Sequence, residues 1–576
     1  MLPYINSPFE YVGSSIGASA DELKLVFSFY LSYPLAAVLK RIPDKNPWQK
    51  NLFVIGIALF YLVGLFDLWS GLRTLIINAG GAYLITAKIN SPYMPWIGFM
   101  FLMGHMSINH IYRMIVNDDS VVDITGAQMV MIMKLTAFCW NVQDGRLPES
   151  ELSDFQKDHM IKELPSLLDY AGYVFFFPAL MAGPAFDYCD YSRYISTTMF
   201  TLPPGTDPAK APPTRKKRKI PRSGTPATIK AIYGTIWVFA FLKFSGWYNT
   251  AFLLSDQYMK YWFPRRVFIL YMLGVTTRMK YYGVWTLTEG ACILSGIGYN
   301  GIDPKTGRAN WDRLQNIRPM EIETAQNTRT FLGSWNINTN LWLRNYVYLR
   351  VTPKGKKPGF RATLATFVTS AFWHGFYPGY YLAFVLASLL QTIAKNGRRL
   401  IRPLFLTTEG APLPTKRYYD IFTTFLTQTA FAFTVAPFIF LSFSGSILVW
   451  ARVYFYTLIG VGASFALFSR SLPFRKKLQK MQADRTAAPS TETEIEKVAR
   501  EEQEKERREK LLRRGSSDGA KRAPTLGIAE DPEAEIDEIV AEVKREIEER
   551  KRRGSLVQGF DVRKAVEEKL SSLKKD

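Results

Sequence analysis

Ser334-Trp335-Asn336-Ile337-Asn338-Thr339-Asn340-Leu341-Trp342-Leu343-Arg344 and, some forty residues on, Ser370-Ala371-Phe372-Trp373-His374-Gly375-Phe376-Tyr377-Pro378-Gly379-Tyr380 are the two stretches that decide how this chain is read. The chain has four histidines. His159 lies in a polar stretch, and His105 and His110 fall near the end of an apolar span beside Asn109 and Arg113. His374 is more isolated, because the run from Ala362 to Phe376 is nearly all apolar or small and aromatics continue to Leu390. An ionisable ring in an apolar span is costly and marks a functional site by default.

Around these stretches the chain is made of two materials. Of its 576 residues 48% are hydrophobic and 14% aromatic, but the apolar runs stop near residue 470 and the remainder is charged and small. Single soluble cores stop growing near ~250–300 residues, a limit that a bundle solvated by lipid does not meet. A helix needs ~17–25 apolar residues to cross a bilayer. Candidate segments run in order over 23–39, 52–69, 72–89, 93–111, 129–140, 164–181, 229–253, 267–297, 364–376, 380–393, 421–443 and 447–468. Several are too short to span alone, and Pro178-Ala179-Leu180-Met181-Ala182-Gly183-Pro184 reads as re-entrant or buried, a geometry that survives at depth only under protein or beside a water cavity. Segment 267–297 is long enough for one bent helix or two short ones. The expectation is an all-α polytopic membrane protein with roughly 11 transmembrane or re-entrant helices enclosing a chamber. Residues 1–470 would form the membrane domain and 471–576 a charged, partly helical or disordered tail.

The formal net charge of +22 would suggest nucleic acid in a soluble protein. Here the basic clusters, Lys40-Arg41, Arg215-Lys216-Lys217-Arg218-Lys219 and Arg475-Lys476-Lys477, sit between or after apolar spans. That fits cytoplasmic loops and anionic lipid better, so membrane lipids are the expected partners and nucleic acid is not. No basic and apolar leader precedes the first span, so no cleaved signal peptide is expected. Cys139, Cys189 and Cys292 are far apart, without the spacing of a disulfide framework or a cysteine zinc site. In the tail, Glu494–Arg514 and Glu533–Arg553 read as solvated helices or disorder. Arg513-Arg514-Gly515-Ser516 and Arg552-Arg553-Gly554-Ser555 repeat a pattern that a basophilic kinase reads.

His374 lacks neighbouring ligands for a metal and a persuasive buried carboxylate for a triad. A lone general base for an alcohol needs only a partner to hold its tautomer and donors for a developing oxyanion. A histidine bonded to a backbone carbonyl and packed among aromatics is the equally open structural reading. Asn336, Asn338 and Asn340 are the available partners, too distant in sequence to share one helix with His374. On a helix Asn336 and Asn340 share a face and Asn338 points away, whereas on a strand all three share one. Arg344 and Arg350, followed by Lys354, Lys356 and Lys357, form a basic patch suited to phosphates or to a plain cytoplasmic loop. Glu289 and Asp169 are carboxylates in apolar surroundings, expected to pair with Lys243, Arg278 or Arg452.

The Trp-Asn-x-x-Thr-x-x-Trp-Leu pattern at 335–343 followed by Phe-Trp-His-Gly at 372–375 resembles the membrane-bound O-acyltransferase family, in its fungal lysophospholipid acyltransferase branch. Ala182-Gly183-Pro184-Ala185-Phe186-Asp187-Tyr188 and Gly296-Ile297-Gly298-Tyr299-Asn300-Gly301 also fit that branch, and the resemblance spans roughly residues 20–470. It implies a chamber of many helices in which acyl-CoA enters by a cytoplasmic tunnel and a lysophospholipid from the side. It places the catalytic histidine on His374 and the conserved Asn/His position on Asn336, which would position the ring or the hydroxyl. Trp335, Asn338, Trp342, Arg344, Trp373 and Tyr377 are then expected to bind substrate. The implied reaction moves an acyl group from acyl-CoA to the free hydroxyl of a lysophospholipid, with acyl-CoA as co-substrate, no other cofactor and no metal. The expected location is the endoplasmic reticulum membrane, with the tail in the cytoplasm. Alternatives are a member of the same family acting on a protein or glycerol-type acceptor, and a transporter, whose mark would be repeated halves.

Overall fold

In the computed structural model, residues 3–16, 19–116, 123–202, 211–303, 306–352, 360–407, 410–469 and 473–487 are described. Among them there are only helices, turns and isolated β-bridges. The chain enters its first long helix, α1 (Ala20–Leu39), through a capping box. Ser19 accepts from the Glu22 amide while the Glu22 carboxylate takes the Ser19 amide, so two otherwise orphaned donors are satisfied. Next come α2 (Pro47–Leu59, extended by a π-turn over Phe60–Leu65), α3 (Trp69–Lys88), α4 (Met94–Val116) and α5 (Thr125–Gly145). After a stretch of short helices follow α6 (Gly224–Ser245) and α7 (Phe263–Ser295). The segment expected to be one bent helix or two short ones is thus a single helix of 33 residues.

Helix α7 is the central post, packing against α1, α6 and the later helix α11 (Lys416–Phe440). Its contact with α6 is close because Gly234 and Gly283 each face the opposing helix. A Cβ on Gly234 would stand 2.7 Å from Leu287 Cγ, and one on Gly283 would stand 2.7 Å from Val238 Cγ2. Small residues at such crossings let backbones approach in lipid, where dispersion replaces the hydrophobic effect as the force between helices.

Four helical stretches, Ala20–Leu39, Pro47–Leu65, Gly224–Leu254 and Lys416–Phe440, are long and apolar enough to cross a membrane. A fifth span forms if Phe443–Arg452 and Tyr456–Leu467, bent by 78° to each other, are taken together. Helices α3, α4, α5, α7 and α10 (Pro378–Leu400) are as long but carry buried polar groups such as Asn78, His110, Lys134, Arg278 and Gln391. Those polar groups lower the mean hydropathy of these helices, although α3 and α4 still expose apolar residues such as Ile76, Leu84, Met100 and Ile108. Segment 164–181 is broken into Leu167–Val174 and Phe177–Leu180, with the second piece wholly buried. Of the two expectations for Pro178–Pro184, re-entrant or buried, the packing bears out burial.

The isolated carboxylates find partners other than those expected. Glu289 pairs with Lys230 at 2.8 Å, and Asp169 is held by Asn51 and Ser166. Arg278 instead makes a bidentate pair with Glu323 (2.8 and 2.7 Å), and Arg452 donates to the Leu253 and Ser255 carbonyls. Sequence showed that these charges needed compensation but not which neighbours supply it. Past the expected boundary at residue 470, helix Pro473–Ala487 packs back on the end of α10, where Gln482 Nε2 donates to the Arg399 and Leu400 carbonyls. The two proposed tail helices and Ser516 and Ser555 lie outside the described residues.

Candidate active site

The asparagine stretch folds as a short helix, α8 (Ile337–Leu343), that runs on into a π-turn over Arg344–Tyr348. Asn336 starts it at φ 43°, ψ 55°, a left-handed conformation that asparagine tolerates better than most residues. The preceding loop is pinned by Asn316. Its carbonyl accepts from the Ile337 amide (2.9 Å), and its side-chain oxygen accepts from both the Asn338 amide and Asn338 Nδ2 (3.1 Å each). Asn316 is 3% exposed and was not singled out from sequence, where a lone asparagine in a polar loop carries no signal.

Because the stretch is helical, it has two faces, and each faces a different cavity. Asn336, Thr339, Asn340 and Leu343 line an apolar cavity of about 150 Å³, together with Trp335, Ser370 and His374. Ile337, Asn338, Leu341, Trp342 and Arg344 line a polar cavity of about 670 Å³ on the other side. The helical alternative for the three asparagines therefore holds. The amide nitrogen of Asn340 is committed, Nδ2 donating to the Leu332 (2.9 Å) and Trp335 (2.6 Å) carbonyls. Asn336 Oδ1 accepts from the Thr339 hydroxyl at 2.9 Å, and among the described residues its Nδ2 has no protein partner.

His374 ends α9 (Phe360–His374). Its Nδ1 lies 2.6 Å from the Ser370 carbonyl one turn back. A carbonyl only accepts, so Nδ1 carries the proton and Nε2 is left as the acceptor. The ring is enclosed by Trp373, Tyr380, Phe384 and Phe438, with centroids between 4.6 and 5.6 Å. The histidine is bonded to a carbonyl and packed among aromatics, as its structural reading expects, and it also lines a cavity shared with Asn336. The group that holds its tautomer is the Ser370 carbonyl rather than an asparagine.

The turn after His374 is fixed from α4. His110, 5% exposed, has Nε2 3.0 Å from the Trp373 carbonyl. Gly375 adopts φ +123° with its Cα against the same ring, so that a Cβ there would stand 3.1 Å from His110 Nδ1. His110 was legible only as a histidine at the end of a span; its partner is 263 residues away.

Of the expected substrate-binding residues, Trp335 borders the apolar cavity, stacked edge-on against Trp285 (5.1 Å) and Tyr281 (5.5 Å). Asn338, Trp342 and Arg344 border the polar one, Trp342 Nε1 donating to Thr136 Oγ1 at 2.8 Å. Trp373 and Tyr377 line neither cavity. Trp373 is 4% exposed, donates to the Met129 carbonyl (3.1 Å) and packs beside Trp342. Tyr377 caps the start of α10 beside Tyr380. The outlying motifs also converge on the polar cavity, through Ala185, Phe186 and Asp187 from the first and Asn300 from the second. Its lining carries both signs of charge, with Lys134, His159, Arg313, Arg318 and Arg344 set among Asp154, Asp158, Asp187, Asp190 and Asp312. Arg313 pairs with Asp190 (2.7 Å), while Arg344 donates to Asn345 Oδ1 (2.9 Å) and has no carboxylate partner among the described residues. Burial pushes the Asp187 carboxyl up, against His159 and the Tyr346 hydroxyl, which lies 2.7 Å away.

Arg350 of the basic patch makes a bidentate pair with Asp144 of α5 (2.7 and 2.5 Å) and lies over the Trp140 ring. It is a structural tie, and Lys354, Lys356 and Lys357 lie outside the described residues. Cys139, Cys189 and Cys292 are unpaired.

The family model for membrane-bound O-acyltransferases matches residues 116–436. The chain is 45% identical to a lysophospholipid acyltransferase of Schizosaccharomyces pombe, over 83% of this chain and 92% of that protein. It is 42% identical to a lysophospholipid acyltransferase of Saccharomyces cerevisiae, over 79% of this chain and 75% of the relative. To the human membrane-bound glycerophospholipid O-acyltransferase 2 it is 30% identical, over 67% and 72%. The family match spans the lining of the polar cavity, α8 and the His374 turn together, and the chain belongs to the membrane-bound O-acyltransferase family as a multi-pass membrane enzyme.

Proposed function

We propose that this enzyme transfers an acyl group from acyl-CoA to the free hydroxyl of a lysophospholipid, with His374 as general base and Asn336 as a hydrogen-bond donor to the reacting groups. The observation that carries the proposal is the pairing of an acceptor-poised His374 Nε2 with an uncommitted Asn336 amide on one apolar cavity. The names of the fungal relatives support the acceptor class.

Nε2 takes the proton of the hydroxyl as its oxygen attacks the thioester carbonyl, and Ser370 keeps the ring in the productive tautomer throughout. Asn336 Nδ2 stabilises the negative charge that develops on the carbonyl oxygen. The C–S bond then breaks, the thiolate leaves, and the imidazolium returns its proton to sulfur. A thiol with a pKa of ~8.5 is a good leaving group, so no stronger acid is required. The apolar cavity suits acyl chains, and Arg344 on the polar cavity, with no carboxylate partner among the described residues, suits a phosphate of coenzyme A. We place the protein in the endoplasmic reticulum membrane with the tail cytoplasmic, a location that microscopy of the tagged chain checks.

Purified protein given a panel of lysophospholipids and acyl-CoAs, with products identified by mass spectrometry, tests the reading. Diacyl product from at least one pair is expected, and its loss in His374→Ala with normal melting. A His374→Ala protein that still turns over near the wild-type rate would refute the base.

A further inference from the structure

Away from both substrate cavities, a third cavity of about 510 Å³ lies between the end of α1 and the start of α6. Lys40, Arg41, Arg215, Lys216 and Arg222 line it, with no carboxylate among its lining residues. None of the five forms an ion pair among the described residues. Asp44, three residues past Arg41, is taken by Lys50 (2.7 Å) and by the Lys219 amide (2.9 Å). The loop that carries Arg215 and Lys216 is not loose, because Thr214 bridges Pro221, the Arg222 amide bonds the Pro213 carbonyl and Arg218 donates to the Arg41 carbonyl at 2.8 Å. That folding aims the loop's cations at the α1 terminus. Lys40 reaches across to Ser223 Oγ at 2.6 Å, and its amine is held down to about 7 by burial and by the charges of Arg215 and Arg41. The four remaining cations, gathered without a counter-charge, repel one another and disfavour a charged Lys40, a cost that a bound anion removes. The 22-residue helix α6 adds its positive end, with Thr225 in the lining and Pro226, which has no amide hydrogen, next.

We propose that this cavity binds the phosphorylated headgroup of a polyanionic membrane phospholipid. Depth argues for a lipid over a soluble anion. Both flanking helices are long and apolar enough to cross the membrane, so the cavity sits where they leave it, at headgroup level. Helix α6 is only 11% buried over its apolar window and presents Ile229, Ile232 and Ile236 outward, a surface for acyl chains directly below. Basic pockets between helices at the cytoplasmic surface take such headgroups, and a phosphomonoester brings more charge to this basic cluster than a diester does.

The test uses full-length protein in phosphatidylcholine nanodiscs, titrated with short-chain phosphatidylinositol bisphosphate, with inorganic phosphate and with coenzyme A, and read by thermal shift and native mass spectrometry. The comparison is Arg215→Gln/Lys216→Gln, two exposed loop positions, with Arg222→Gln as a second variant. Expected is a saturable shift with the lipid, weakened about 10-fold or more in the double variant, while turnover in phosphatidylcholine alone is unchanged. Equal lipid affinity in wild type and both variants would overturn the site. A shift produced as strongly by inorganic phosphate or coenzyme A, and lost in the same variants, would overturn its assignment to a lipid.

Discussion

Replacing Gly375 by alanine tests whether the turn after His374 is what positions the base. Two costs arise. The backbone sits at φ +123°, a region that costs an L-residue on the order of 1–3 kcal/mol. The new Cβ also meets His110 Nδ1 at 3.1 Å, a shortfall that a few tenths of an ångström of movement relieves. The backbone term is the larger, so the turn rearranges instead of the His110 ring alone. Gly375 donates to the Ala371 and Phe372 carbonyls and directly follows His374, so any change of φ moves the imidazole. A displacement of ~1 Å at a reacting group costs about 100-fold in turnover. Steady-state kinetics on purified protein should therefore show kcat lower by about two orders of magnitude for Gly375→Ala. The Michaelis constant for acyl-CoA should change little, because the polar cavity lies across α8. His110→Ala removes one hydrogen bond, worth roughly 0.5–1.5 kcal/mol, and should cost about 10-fold at most. The double variant should be no better than Gly375→Ala. Turnover of Gly375→Ala within threefold of wild type would refute the reasoning, and full rescue by His110→Ala would place the cost in the contact instead of the backbone.

Asn336→Ala should reduce kcat by about 100-fold, whereas Asn338→Ala, on the opposite face and bonded to Asn316, should lose less and mainly in substrate affinity; equal kcat losses would count against the two-faced helix. Arg344→Gln should raise the Michaelis constant for acyl-CoA about 10-fold with kcat preserved, and an unchanged constant would remove Arg344 from the donor site. Asp144→Ala leaves Arg350 buried without its partner and should destabilise the protein by ~3–5 kcal/mol, seen as a lower melting temperature in detergent. Replacing both residues with apolar side chains should recover part of that loss.

Hydropathy and composition determined that this chain is helical and crosses a membrane, because each lipid-facing helix must satisfy its own backbone and show apolar side chains, and both demands are local. The rarity of an imidazole in an apolar run was enough to select His374, and helical periodicity was enough to pose the question of which asparagines share a face. Tertiary structure decided the rest. It put Asn336 and His374 on one cavity and Asn338 on another. It gave the tautomer of His374 to a backbone carbonyl, and it brought His110 of α4 to the Trp373 carbonyl. It matched Glu289 to Lys230 and Arg350 to Asp144. The physical reason is the same in each case. A buried polar group must find a partner, but the sequence states only the need, and which of many chemically equivalent partners is within 3 Å depends on how helices far apart in the chain are packed.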